Sequence, residues 1–245
     1  MPVAERSAIV TGSARGIGAA VAERLAQDGF GVTINYSGSQ DRAEETVNKI
    51  KAAGGSAIAV KADVGDASAV KALFDATEQA FGGVDVLVNN AGIMKLAPIA
   101  ESDDDLFDQH LAVNLKGVFN CMREGARRIR DGGRIISFSS SVVGLYQPTY
   151  GPYAATKAGV EALTHILAKE LGGKSITVNA IAPGPVATPL FLDDKSDEQV
   201  AQIKKLIPLG RLAEPEDIAA AVSFLAGPDS HWVSGQVLRA NGGMI

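Results

Sequence analysis

Tyr153 and Lys157 stand four residues apart, and Ser140 lies thirteen residues before the tyrosine. Residues four apart share one face of a helix, so the lysine ammonium can sit beside the phenol ring. A phenol ordinarily ionises near pH 10 and is a poor acid or base at neutrality. A fixed cation a few ångströms away favours the phenolate and would bring the tyrosine toward the range of a general acid–base catalyst. Tyr36, Tyr146 and Tyr150 are followed at the same spacing by Gln40, Tyr150 and Ala154, so Tyr153 alone has this companion. A tyrosine one turn before a lysine is a common surface feature by itself. The pair therefore needs a chemical partner elsewhere in the chain.

Thr11-Gly12-Ser13-Ala14-Arg15-Gly16-Ile17-Gly18 supplies one. The apolar run Ala8-Ile9-Val10 before it reads as a buried strand. After it Ile17, Ala20, Val21 and Leu25 recur at helical spacing until Asp28-Gly29. Strand, glycine turn and helix start together form a phosphate cradle, because free backbone N–H groups and the helix dipole converge on one spot. The pattern fits a dinucleotide whose pyrophosphate rests on that turn.

The elements that must hold these groups alternate. Strands are expected at Val32–Ile34, Ala57–Val60, Val84–Val88, Arg134–Phe138, Ile176–Ile181 and Gln236–Ala240. Helices are expected at Asp41–Ala53, Ala67–Phe81, Asp104–Ile129, Pro152–Leu171 and Pro215–Ala226. Such alternation predicts a parallel sheet with helices on both faces, of about seven strands. No linker or repeat divides residues 1–245, which reads as one domain. A long connection from Pro183 to Leu212, rich in proline and carrying Asp193-Asp194, suggests a lid over 185–212.

Composition narrows the function classes. A net charge of −5 gives no nucleic-acid surface, and no apolar run is long enough to span a bilayer. Met1 to Arg6 lack the apolar segment of a signal peptide, and the single Cys121 fits a reducing compartment; both point to the cytoplasm. His110, His165 and His231 have no metal-ligand spacing, so no metal is expected and solvated or structural roles are read for them.

In order along the chain stand Thr11-Gly12-x3-Gly16-x-Gly18, Asp63-Val64, Asn89-Asn90-Ala91-Gly92, Asn114, Ser140, Tyr153-x3-Lys157 and Pro183-Gly184-x3-Thr188. With these motifs the chain resembles the short-chain dehydrogenase/reductase family in its compact form. The resemblance implies a single-domain Rossmann fold, a doubly wound parallel sheet. It implies that Tyr153 exchanges a proton with the carbonyl or alcohol oxygen and that Ser140 hydrogen-bonds the same oxygen. Lys157 would bind the nicotinamide ribose and lower the tyrosine pKa, and Asn114 would help hold a water linking the lysine to solvent. The dinucleotide would contact Gly12, Ser13, Arg15, Gly16, Ile17 and Gly18, with Asp63 and Val64 flanking adenine. Asn90, Ala91 and Gly92 would line it beside the fourth strand, with Pro183, Gly184, Val186 and Thr188 near the nicotinamide.

Ser139, Ser140 and Ser141 are consecutive. Spacing to the tyrosine selects Ser140, whereas the wording Ser-Val-Val-Gly would select Ser141. Asn114 could equally be a helix amide bonded to backbone. The cofactor follows from the end of the second strand, where NAD sites carry an acid that accepts from the ribose 2′-OH. Here Asn35-Tyr36-Ser37-Gly38-Ser39 contains no carboxylate. Its absence, with Arg15 as counter-charge and Tyr36 and Ser37 at the site, favours NADP(H) over NAD(H).

The expected activity is NADPH-dependent reduction of a ketone, aldehyde or keto-ester by hydride transfer. Substrate shape would be read by Val142 to Pro152 and by the lid, with Leu145, Tyr146, Leu190, Phe191 and Leu192. Two other readings remain. A β-ketoacyl-[acyl-carrier-protein] reductase would use Arg127, Arg128, Arg130 and Lys174 as a basic patch. A non-catalytic NADP-binding sensor would not need Ser140, Tyr153 and Lys157 together. Ala154, Ala158 and Ala162 form a small-residue stripe, and the family resemblance implies a homotetramer packed through that helix.

Overall fold

The computed structural model describes residues 6–193 and 195–245. Met1–Glu5 and Asp194, which carry part of the N-terminal and lid readings above, lie outside the described residues. Seven strands run in chain order: β1 (Arg6–Val10), β2 (Phe30–Tyr36), β3 (Ser56–Lys61), β4 (Val84–Asn89), β5 (Ile129–Phe138), β6 (Thr177–Pro183) and β7 (Val237–Ala240). They form one parallel sheet in the order β3-β2-β1-β4-β5-β6-β7.

Strand residues alternate between two cores, as the period of two requires. Ala8 and Val10 face one cluster with Val21 and Leu25 of α1 (Gly16–Gln27), Val47 and Ile50 of α2 (Gln40–Ala52), and the helix Pro215–Ala226. Ile9 faces the other with Leu73 and Phe74 of α3 (Ala67–Phe81), Cys121 of Val118–Arg128, and Val160 of Gly151–Leu171. With both faces covered, the strands bury nearly every apolar side chain.

The expected run Asp104–Ile129 is divided. It holds α4 (Asp104–His110), a π-helical segment Leu111–Gly117, and α5 (Val118–Arg128). The following strand begins earlier than expected. Val84 pairs with Ile129 but Val86 with Arg134, so Asp131-Gly132-Gly133 forms an irregularity inside β5. After β5 come the kinked turn α6 (Val142–Leu145) and the long helix α7 (Gly151–Leu171).

The connection read without elements contains α8 (Pro189–Leu192) and α9 (Asp197–Lys205), before α10 (Pro215–Ala226). The start of α9 was readable: the Ser196 hydroxyl accepts from Gln199 N–H while the Gln199 side chain accepts from Ser196 N–H. That reciprocal pair is a capping box. Among the described residues no helix is long and apolar enough to cross a membrane.

Candidate active site

β1 lies between β2 and β4, so the strand order reverses there and leaves a crevice at the carboxyl ends. Two adjoining clefts occupy it, of about 410 and about 190 Å³. They share Ile17, Asn90, Gly92, Ile93, Thr188 and Leu190, which mark where one runs into the other.

The larger cleft is built on the glycine turn. Gly12 has φ +63°, and a Cβ there would stand 2.8 Å from Ala91 Cα. A Cβ on Gly18 would stand 2.5 Å from Gly12 O and from Asn90 Nδ2, so α1 can pack this tightly only without a side chain. Three residues lock the turn to neighbouring strands. Thr11 Oγ1 accepts from Asn90 N–H and Ala91 N–H at 3.0 Å each. Asn90 Nδ2 donates to Thr11 O and Gly12 O. Asn35 Oδ1 accepts from Gly12 N–H at 3.1 Å, and its Nδ2 donates to Ala62 O at 3.0 Å. Thr11 and Asn35 were not singled out as site residues, since their roles depend on partners more than twenty positions away.

Arg15, Gly16, Ile17, Gly18, Tyr36, Ser37, Asp63, Val64, Ala91 and Gly92 line this cleft. Ser13 does not. It is fully buried, its hydroxyl donates to Val10 O at 2.7 Å, and it serves the turn rather than the cleft. The start of α1 has no side-chain cap and no acidic residue in its first turn, so its N–H groups and dipole are left for an anion. Arg15 is exposed at the rim, and the end of β2 presents Tyr36 and Ser37 without a carboxylate. These residues fit a dinucleotide with its pyrophosphate at α1.

The smaller cleft holds the residues expected to handle the proton. α7 carries both Tyr153 and Lys157, with Lys157 Nζ 5.6 Å from the Tyr153 ring centroid. Lys157 is 4% exposed, and its ammonium donates to Phe138 O at 2.7 Å. The three serines part company at the end of β5. Ser139 Oγ donates to Glu161 Oε1 at 2.6 Å, and Ser141 Oγ accepts from Asn241 Nδ2 at 3.1 Å. Ser140 faces Tyr153, and its hydrogen bond favours the ionised phenol.

Burial changes the expected electrostatics. It pushes the Tyr153 phenol up to about 12, against the downward pull of Ser140, and Tyr150 adds to the rise. The same burial brings Lys157 down to about 8. In the protein alone desolvation of the phenolate sets the direction of the tyrosine pKa, and the Lys157 ammonium is turned to Phe138 O.

Asn114 is fully buried in the π-helical segment, a distortion frequent at functional sites. Its Oδ1 accepts from Ile93 N–H at 2.8 Å and its Nδ2 donates to Ile93 O at 2.9 Å. The side chain therefore pins the chain beyond β4 and lines neither cleft. Pro183, Gly184, Val186 and Thr188 line the smaller cleft.

Of the residues expected to read substrate shape, Leu145, Leu190 and Phe191 line it, whereas Tyr146 and Leu192 do not. Tyr146 is 74% exposed because its left-handed backbone, φ +47°, turns it to solvent. Met94, Gln147, Tyr150 and Met244 complete the wall. Met244 arrives there because Asn241 Oδ1 accepts from Gly243 N–H and Met244 N–H. His110 is buried with its ring 6.2 Å from that of Tyr153. Its Nε2 accepts from Lys95 N–H and its Nδ1 faces Leu106 O, so it is the Nδ1–H tautomer held by backbone.

A family model described as enoyl-(acyl carrier protein) reductase matches residues 12–245. The chain is 44% identical over 259 residues to an NADPH-dependent aldehyde reductase-like protein, chloroplastic, of Arabidopsis thaliana, covering 100% of this chain and 96% of that one. It is 42% identical over 241 residues to the 3-oxoacyl-[acyl-carrier-protein] reductase of Staphylococcus aureus, covering 98% of each. A short-chain dehydrogenase from Burkholderia cenocepacia solved in complex with NADP superposes with a TM-score of 0.93 at 38% identity, over 100% of this chain and 99% of that one. With its sheet order, its glycine turn and its Tyr–Lys pair at the crevice, the chain belongs to the short-chain dehydrogenase/reductase family of oxidoreductases.

Proposed function

We propose that the protein reduces an uncharged, largely apolar carbonyl compound to an alcohol, with NADPH in preference to NADH. The observation that carries this reading is the meeting of Tyr153, Ser140 and Lys157 in the smaller cleft, which adjoins the larger one. When bound in the larger cleft, the nicotinamide supplies the hydride. The glycine turn and α1 hold the pyrophosphate, and Lys157 serves the ribose. Ser140 and Tyr153 donate to the carbonyl oxygen, where negative charge develops. Tyr153 then gives up its proton. A phenol kept protonated by burial is the state that reduction needs at the start. The Lys157 ammonium and Ser140 favour the phenolate left behind. The side chain of Asn114 is spent on Ile93, so any water relay to Lys157 would use the Asn114 main chain instead.

The cofactor preference is supported by the exposed Arg15, by the lack of a carboxylate at the end of β2, and by the NADPH and NADP in the names of two similar proteins. Among the described residues Lys157 is the only charged side chain lining the smaller cleft, which favours a neutral substrate.

A carrier-bound β-ketoacyl substrate is the second reading, favoured by the similarity to the staphylococcal enzyme. The three arginines of its expected basic patch are internally neutralised. Arg128 pairs with Asp75, Glu78 and Glu124, Arg127 with Glu124, and Arg130 with Asp85. Lys174 donates to Ala126 O. Little positive field is left for an acidic carrier.

NADPH oxidation with a panel of ketones, aldehydes, keto-esters and carrier-bound acetoacetyl groups tests both readings. A far higher kcat/KM for the carrier-bound group, lost when Arg127, Arg128 and Arg130 are neutralised, would reverse the order. No turnover with any of them would favour a sensor. Ala158 and Ala162 are exposed on α7, which supports packing of that helix against a second copy in a homotetramer. A monomeric mass at micromolar concentration would rule that assembly out.

A further inference from the structure

We infer that Tyr150 is a substrate-binding residue, and that the substrate carries a second oxygen acceptor close to the carbonyl that is reduced. The inference rests on the carbonyl-reduction reading and deepens it. Tyr150 lines the smaller cleft beside Tyr153, the two rings meeting edge to face at 6.4 Å between centroids. Its phenol is half-buried, and burial alone raises its pKa, with no hydrogen bond contributing. The hydroxyl is not sealed from solvent, and in the cleft it is free to take a hydrogen-bond partner. Here, among the described residues, none is supplied.

The local backbone holds the ring in this position at a cost. Thr149, a β-branched residue, has φ +74°, and its carbonyl accepts from Ala97 N–H at 3.2 Å. Backbone of this kind persists where the surroundings over-determine it, and it clusters at ligand sites. Tyr150 itself is the N-terminal cap residue of α7, and its carbonyl accepts from Ala154 N–H, so the phenol stands on the same rigid element as Tyr153.

Around the rest of the cleft the non-catalytic side chains are mostly apolar: Ile93, Met94, Leu145, Phe191 and Leu206 among them. Gln147, three residues before Tyr150, also lines the cleft, as do the polar side chains of Asn90 and Thr188. Tyr150 and Gln147 thus offer donors to a second substrate oxygen while Tyr153 and Ser140 hold the reacting one. An apolar chain would lie against the apolar lining, Leu206 and Phe191 included. A β-keto ester has this layout, and a simple ketone lacks it.

The test compares methyl acetoacetate with 4-methyl-2-hexanone, its hydrocarbon isostere, for wild type and Tyr150→Phe at equal NADPH-binding capacity. Comparing the ratio of their kcat/KM values between the two proteins cancels the intrinsic reactivity of the ester. Tyr150→Phe should lower that ratio about 3-fold to 10-fold, the range for one neutral hydrogen bond. In the wild type the ester should have the lower KM. Equal losses for the two substrates, or a wild-type KM no lower for the ester, would overturn the role of Tyr150 and leave carbonyl reduction standing. Failure of the wild type to oxidise NADPH with either would overturn carbonyl reduction itself, and this inference with it.

Discussion

Lys157 should make the protein less stable than a neutral side chain of its size would. The ammonium is 4% exposed, and burial brings its pKa from 10.5 to about 8. That difference of roughly 2.5 corresponds to about 3 kcal/mol disfavouring the charged form in the fold. Lys157→Met removes this cost but leaves Phe138 O without its 2.7 Å donor, which costs about 1–3 kcal/mol. The variant should therefore range from neutral to about 2 kcal/mol more stable at pH 7, while losing turnover.

The dependence on pH is sharper than the absolute value. The folded pKa lies below the unfolded one, so between about 8 and 10.5 the unfolded chain binds more protons and stability rises with pH. Below that window both states are protonated and the cost is constant. The wild type should thus gain on Lys157→Met as pH rises from 7.5 to 10. Urea unfolding of both proteins without dinucleotide, at matched concentration across that range, measures the difference with other titrations cancelled. A gap that does not change with pH, or a variant several kcal/mol less stable at pH 7, would refute the reasoning.

Tyr153→Phe should reduce turnover by about 10²–10⁴ with NADPH affinity nearly unchanged, and retention of most activity would remove Tyr153 from proton transfer. Ser140→Ala should cut kcat with little change in unfolding, whereas Ser139→Ala and Ser141→Ala should each lower stability by about 1 kcal/mol through lost bonds to Glu161 and Asn241. The reverse pattern in kinetics and urea melts would transfer the role to Ser141. Ser37→Asp combined with Arg15→Ala should shift the NADPH-to-NADH ratio of kcat/KM by 10-fold or more, about the strength of a charged hydrogen bond. A wild type that already uses NADH as well as NADPH would contradict this.

Much of the fold was legible because it rests on local periodicity. The alternation of apolar strands and amphipathic helices specifies a parallel sheet, and α3 and α10 run over the expected residues. The π-helical segment around Asn114 was not legible, because its side-chain pattern continues that of the flanking helices. Helix α9 was missed although Ser196 and Gln199 announce its start, since the surrounding prolines suggested an irregular lid.

At the site, residue types and spacing along one helix determined that Tyr153 and Lys157 share a face, and the glycine turn determined a place for phosphate. Which serine faces the tyrosine was decided only when β6, α7 and the Asn241 turn took up the hydroxyls of Ser139 and Ser141. The direction of the tyrosine pKa was likewise decided by tertiary burial, against what a neighbouring cation alone would do. Spacing specifies which groups can meet, because it follows helix geometry. Solvation depends on every element that closes over them, and those elements are far apart in the chain.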